Sequence, residues 1–391
     1  MKSKPINVSI TLDGESIKNE AGILNSGTLI DELASGKYHL VLNLDKYSGW
    51  QKNVDVEYGV VSVFDSIILV PNDRVRIGNQ VDDFVFTNDL FVTKSESNIY
   101  FDGEIIPGDE IVRFTEDGSV LTKESEGDYY LSNVLNIGSS TNITALFNDL
   151  KESQLGFPGA VDIKKIESYP FDDNRFIVMT NRAIYALDTD DEEVEQIDRS
   201  ATDFVISGNE VFWTNASGTL SYNLLTGDKA LVDEALKNDS LIFDVTSSGN
   251  KIITLGENGR LLYTDKKLST STIISDNADY FSISPNGRFL MFVDNVSLAH
   301  VYDFEWESGD RGKELVRLVE VNVPVEKVLW YGNNAYLFVK GADDRLRFIE
   351  ISDSYPINEA LISEKVNSFV YDAKSETLYY SNDSGLWQLE I

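Results

Sequence analysis

From Phe84 to Ile391 one arrangement of apolar and polar positions recurs: an alternating apolar strand, a polar turn rich in Gly or Asn, a near-continuous apolar strand, then a third strand. Eight copies can be followed, opening at residues 83–86, 111–114, 163–168, 201–205, 241–245, 280–283, 325–330 and 366–371. Alternation at period two marks half-buried strands, and an unbroken apolar run marks a strand covered on both faces. Asn286-Gly287 and Gly249-Asn250 are suited to the turns between them, because these residues tolerate positive φ. Strand-rich units repeating every ~40 residues predict a β-propeller. The eighth copy ends at Ile391 after three strands, so its edge needs a partner. The segment Arg74-Val75-Arg76-Ile77 is the expected outer strand, tying the two ends of the ring together. Seven blades is the alternative count.

The first seventy residues follow a different pattern. Val8, Ile10 and Leu12 alternate into Asp13-Gly14; Tyr38, Leu40, Leu42 and Leu44 share one face; Val54 and Val56 precede Gly59; a further strand is expected over 62–70. Short strands with one apolar face predict a small β-sandwich over residues 1–72, leaving 73–391 to the propeller.

Asp13, Gly14, Gly36, Tyr38, Tyr47, Trp50, Val54, Val56 and Gly59 give this segment a pattern that resembles the PEGA domain, although Ala34-Ser35-Gly36 replaces that family's Pro-containing turn. Ser284-Pro285-Asn286-Gly287 resembles the Ser-Pro-Asp-Gly hairpin of TolB-like members of the TolB/WD40-like propellers. PEGA modules joined to propellers resemble uncharacterised surface proteins of small-genome bacteria. That resemblance implies an extracytoplasmic, cell-surface protein held by an N-terminal helix upstream of this sequence.

Composition narrows the function classes. Of 391 residues, 65 are acidic and 33 basic, a formal charge of −32. Such a surface repels phosphate backbones and anionic lipid heads, which argues against nucleic-acid and peripheral membrane binding. No apolar run is long enough to span a bilayer, so membrane association is expected only through the upstream anchor; solubility inside the cell is the other reading. Cys is absent, removing disulfides and thiolate chemistry. His39 and His300 are the only histidines, too few for a His-based triad or metal centre in the propeller. No phosphate-binding glycine loop is present.

Two excursions interrupt the repeats. In residues 138–159, Ile143, Leu146, Phe147 and Leu150 recur at helical spacing, with Thr141 or Asn142 as cap and Gly156-Phe157-Pro158-Gly159 as the stop. This helix is either a partner-docking element, with Phe157 beside it, or a plug over a mouth or edge of the ring. The second excursion, 306–315, places Trp306 near Arg311 in a loop suited to a sugar or peptide, or in a long outer hairpin. The acidic run 188–193 is read as a solvated hairpin turn, with Ca²⁺ binding as the competing reading; no other cofactor is expected. The expected function is therefore a non-enzymatic binding or scaffold protein that takes a protein or glycan on a propeller face. A propeller glycan hydrolase and an intracellular assembly hub are the alternatives.

Overall fold

The computed structural model describes the chain apart from residues 23–26, 88–89, 102, 115–117, 134–139, 171, 182, 234–240, 246–250, 257–258, 266–269, 297, 305–315, 321–323, 333 and 353–355. Eight four-stranded sheets follow one another among the described residues. Each is a meander of consecutive strands except the last, formed by Val366–Asp372, Thr377–Asn382, Gly385–Glu390 and, from the other end of the chain, Val75–Gly78. There Leu386 lies opposite Gly78, Trp387 opposite Arg76 and Gln388 opposite Val75, so the expected outer strand is in place.

Burial follows strand position. Second strands are apolar on both faces: Val211, Phe212 and Trp213 of Glu210–Asn215 are wholly buried, as are Tyr336 to Val339 of Tyr336–Gly341. Fourth strands, such as Glu193–Asp198 and Glu359–Ser363, alternate between buried and exposed. Their polar outward positions hide them in the sequence, and the predicted three-strand phrases each gain one.

The chain divides into two compact units. One holds residues 81–287 and 292–295; the other holds 1–80, 288–291 and 296–391. Within each unit, consecutive sheets share a core. Ile177, Ile184, Phe204, Trp213 and Ile252 belong to one cluster; Phe338, Phe348, Phe369 and Tyr380 belong to another. A repeated latch reinforces the stacking. Lys165 donates to the Phe204 carbonyl at 2.6 Å, 39 residues on, and Lys327 to the Phe369 carbonyl at 2.8 Å, 42 residues on. Each ammonium also lies over the ring of that Phe, at 4.8 and 4.9 Å from its centre. The same contact at the repeat spacing in both units is what the sequence period implies.

The 138–159 excursion is a helix, Ile143–Leu155, in the first unit described. Asn142 caps it by accepting from the Ala145 N–H at 2.8 Å, and Gly156 ends it in the left-handed region. Its apolar stripe faces Tyr129, Tyr185, Leu187 and Val194, so it braces the outer strands of the second and third sheets. Residues 1–70 form an antiparallel sheet in the order Glu15–Ile17, Ser9–Leu12, Gly36–Asn43, Trp50–Val56. The strand expected over 62–70 shrinks to Ile67–Ile68, which runs parallel to Ser3–Lys4. Val61 and Val63 do alternate, but they face outward, 76% and 69% exposed, instead of joining a sheet.

This small sheet is fastened to the seventh propeller sheet of its own unit by a buried polar cluster. Lys52, 1% exposed at its side chain, meets Glu350 at 2.8 Å and donates to the Pro356 carbonyl at 2.9 Å. Trp50 donates its indole N–H to Glu350 at 3.1 Å, and the Asn358 amide bridges Glu350, at 2.7 Å, to the Gln51 carbonyl, at 3.1 Å. Nearby, the Ile68 N–H donates to the Tyr336 hydroxyl at 3.0 Å.

That unit also collects buried phenols. Burial pushes the phenols of Tyr331, Tyr336 and Tyr380 above their usual range, and that of Tyr371 up to about 12. A raised native value means the folded chain keeps protons that the unfolded chain has released. The contribution is intact below about pH 10 and is lost as pH rises through the native values. In an alkaline titration these tyrosines are therefore expected to ionise together with loss of near-ultraviolet circular dichroism. Tyrosinate absorbance that rises smoothly to completion with the dichroism intact would count against this burial.

Candidate functional site

An exposed apolar feature lies on the N-terminal sheet. Period-two alternation puts Leu12, Leu40 and Val54 on one face, and the chain after Gly59 crosses beside it without pairing. The outcome is an open cleft of about 470 Å³. Tyr58 is 97% exposed and Val61 76%, while Leu29, which also lines the cleft, is 70% exposed. Clustered aliphatic and aromatic side chains on a chain this acidic mark an interaction site better than scattered surface Leu or Val would. Asp31, Glu32 and Glu57 stand among the lining residues. The cleft thus offers apolar contact with three carboxylates in its lining.

The residues singled out in the sequence are placed otherwise. Ile143, Phe147 and Leu150 are buried, and Leu146 is half-buried against the same core. The proposed docking face of the helix is therefore spent on the protein's own interior, because covering two outer strands needs the same stripe that binding a partner would. Phe157, just past the helix, is 38% exposed with the Arg199 guanidinium 5.9 Å from its ring centre. Trp306 and Arg311 lie outside the described residues.

In the acidic run, the Asp188 carboxylate already has partners. It meets Arg175 at 2.6 Å and accepts from the N–H groups of Asp191 at 2.9 Å and Asp190 at 3.1 Å. Partial burial works against its charge, but these donors outweigh it and hold the group below the usual carboxylate range. Among the described residues no group of three or more His, Asp or Glu is arranged to hold a metal ion. His39 is half-buried, with Nδ1 3.1 Å from Asn53 Oδ1, and His300 belongs to strand Leu298–Asp303.

No family model and no curated protein matches this chain. Solved structures do. BamB from Moraxella catarrhalis is similar over 81% of this chain and 99% of its own, with a TM-score of 0.52 and 11% identity. The β-propeller domain of Cps50 (Swd1) from Myceliophteria thermophila is similar over 73% and 98%, with a TM-score of 0.47 and 10% identity. Hsv2 from Kluyveromyces lactis also covers 73% and 98%, at 0.48 and 10%. The likeness to BamB establishes a β-propeller class of fold for a chain built of serial four-stranded sheets. At such identity it speaks for the fold alone.

Proposed function

We propose that this protein is a non-enzymatic, extracytoplasmic binding scaffold. It is an eight-bladed ring, closed where Val75–Gly78 completes the last sheet, carrying a PEGA-like module that captures an extended segment of a partner protein. The observation that carries the reading is the open apolar cleft lined by Leu29, Tyr58 and Val61. Its charged surroundings favour one kind of occupant: aliphatic or aromatic anchors flanked by Lys or Arg, which meet Asp31, Glu32 and Glu57. An anionic bilayer surface is the poorer match, given the formal charge of −32. The pairing of Val75–Gly78 with Gly385–Glu390 supports closure of the ring, and the PEGA resemblance supports a surface location. The cell-surface part of the proposal requires an apolar, membrane-spanning segment encoded upstream of Met1, and a gene that begins at Met1 would defeat it.

The cleft is tested with displayed random linear peptides selected on the whole protein. Enriched sequences are expected to pair apolar anchors with Lys or Arg. Val61→Asp is expected to weaken their binding at least tenfold, roughly 1.4 kcal/mol. The side chain is exposed, so this variant folds. Failure to enrich such peptides, or equal binding by the variant, rejects the cleft as the recognition site.

A further inference from the structure

A second cleft, of about 710 Å³, lies in the unit containing both chain termini, between the outer strand Glu359–Ser363 and the last sheet. Arg74 enters it from the residues just before Val75–Gly78. The chain carries nearly two acids per base, 65 against 33. Yet among the described residues Arg76 and Arg199 bond to the Gly78 carbonyl and the Gln196 amide and not to a carboxylate, and Arg74 is a third such guanidinium. Arg74 pairs with no carboxylate among the described residues: its Nε is buried with no partner, and Nη2 makes one long bond, to the Leu361 carbonyl at 3.4 Å. The two acids sharing the cleft are held elsewhere. Asp73 meets Lys46 at 3.1 Å and Glu364 meets Arg345 at 3.2 Å. A guanidinium left with free donors beside acids that are already paired is suited to an external anion.

The remaining lining says what else that anion carries. The Trp387 indole N–H donates to Asn382 at 3.0 Å, and the Asn382 amide donates to the Ser363 hydroxyl at 3.0 Å. These groups line the cleft together with Arg74 and Tyr380. Asn382 Oδ1 also accepts from the Ser384 N–H at 3.0 Å and hydroxyl at 2.7 Å, and Ser363 Oγ donates to the Glu364 carbonyl at 3.2 Å. This leaves the second amide hydrogen of Asn382 and a lone pair of Ser363 for a ligand. Amide and hydroxyl groups match sugar hydroxyls, and an indole matches the apolar C–H edge of a sugar ring. The cleft volume lies within the roughly 300–1,000 Å³ of small-molecule sites, more than a lone carboxylate needs. We propose that this cleft is a binding subsite for an acidic saccharide unit, with Arg74 taking its carboxylate and the Ser363–Asn382–Trp387 ladder facing the ring. The subsite is independent of the apolar cleft.

The test is ligand-observed NMR on the whole chain with D-glucuronate, D-glucose and N-acetyl-aspartate amide as probes. Glucuronate is expected to bind at least tenfold more tightly than either of the others and to weaken as salt is raised. Arg74→Gln is expected to cost tenfold or more, with Arg74→Lys retaining part of the binding. Should Arg74→Gln fold poorly, the indole N–H signal of Trp387, identified by its loss in Trp387→Phe, reads the site in the unaltered protein. It is expected to shift with glucuronate and stay put with glucose. Equal binding of N-acetyl-aspartate amide would overturn the saccharide assignment. Unchanged binding in Arg74→Gln, or a Trp387 signal indifferent to glucuronate, would overturn the site itself. Val61→Asp is expected to leave glucuronate binding untouched, which separates this result from the peptide experiment.

Discussion

Glu350→Ala is expected to lower the stability of the protein by about 3–5 kcal/mol, because it removes a carboxylate paired with a buried cation. Lys52 has 1% of its side chain exposed and meets the Glu350 carboxylate at 2.8 Å. With that carboxylate gone, the ammonium keeps the Pro356 carbonyl but loses the Glu350 charge, and the indole N–H of Trp50 and the amide of Asn358 lose an acceptor. Breaking a buried pair from one side costs far more than the pair itself contributes, since the charge left behind is already withdrawn from water. The double variant Lys52→Met with Glu350→Leu is therefore expected to be more stable than Glu350→Ala alone. Glu350→Gln, which keeps a neutral acceptor for Trp50 but loses the charge, falls between. A thermal midpoint drop of about 10 °C for Glu350→Ala would express the loss. The cluster joins the N-terminal sheet to the strands Leu346–Glu350 and Glu359–Ser363, so the cleavage rate of residues 1–72 by a protease should rise in parallel. A midpoint within about a degree of the parent would show that the cluster is better solvated than its burial implies.

How much of this was legible in the sequence depends on how local the signal is. The first three strands of each sheet could be read because apolar alternation and Gly or Asn turns are written within ten residues. The closing strand could be read by elimination, since an unfinished sheet at Ile391 demanded an edge and Val75 was available. The fourth strands could not, because one outward face makes a strand such as Glu193–Asp198 look like loop. Residues 62–70 erred in the opposite direction. Val61 and Val63 carry strand periodicity, but periodicity says nothing about whether a neighbour exists to pair with. The helix stripe of Ile143, Phe147 and Leu150 was ambiguous for a similar reason, since burial against self and burial against a partner ask for the same residues.

The sites themselves depend on distance along the chain. Trp50 drew attention as part of a family-like pattern, yet its acceptor is Glu350, 300 residues away. The Arg74 cleft joins residues separated by about as much, and no spacing rule connects Arg74 to Leu361 or Trp387. The usable signal was scarcity: where acids outnumber bases two to one, each arginine that no acid claims is worth locating.

The other large effect is expected at Gly385, where the closing strand meets the last sheet. Its φ of +149° is a conformation that L side chains rarely adopt, and a Cβ there would lie 2.8 Å from the Gly78 carbonyl oxygen and 2.6 Å from Arg76 Nε. The Arg76 side chain can swing aside, although it would forfeit its 3.1 Å bond to that same carbonyl. The Gly78 carbonyl belongs to backbone placed opposite Leu386, so it moves only if the pairing moves. Backbone strain and overpacking together put the cost of Gly385→Ala at about 3 kcal/mol. Gly14→Ala is the control, because Gly14 also has positive φ, at +84°, but nothing within 4 Å of the new atom, leaving strain of about 1 kcal/mol. The two variants should differ in kind as well as in size. Loss of Val75–Gly78 uncovers the edge of Gly385–Glu390, and a bare edge recruits other chains. Gly385→Ala is thus expected to associate as its concentration rises, with faster hydrogen exchange along Gly385–Glu390, while Gly14→Ala stays monodisperse relative to the parent. If Gly385→Ala instead kept the parent's exchange protection on that strand, the pairing of the two chain ends would not be what completes the final sheet.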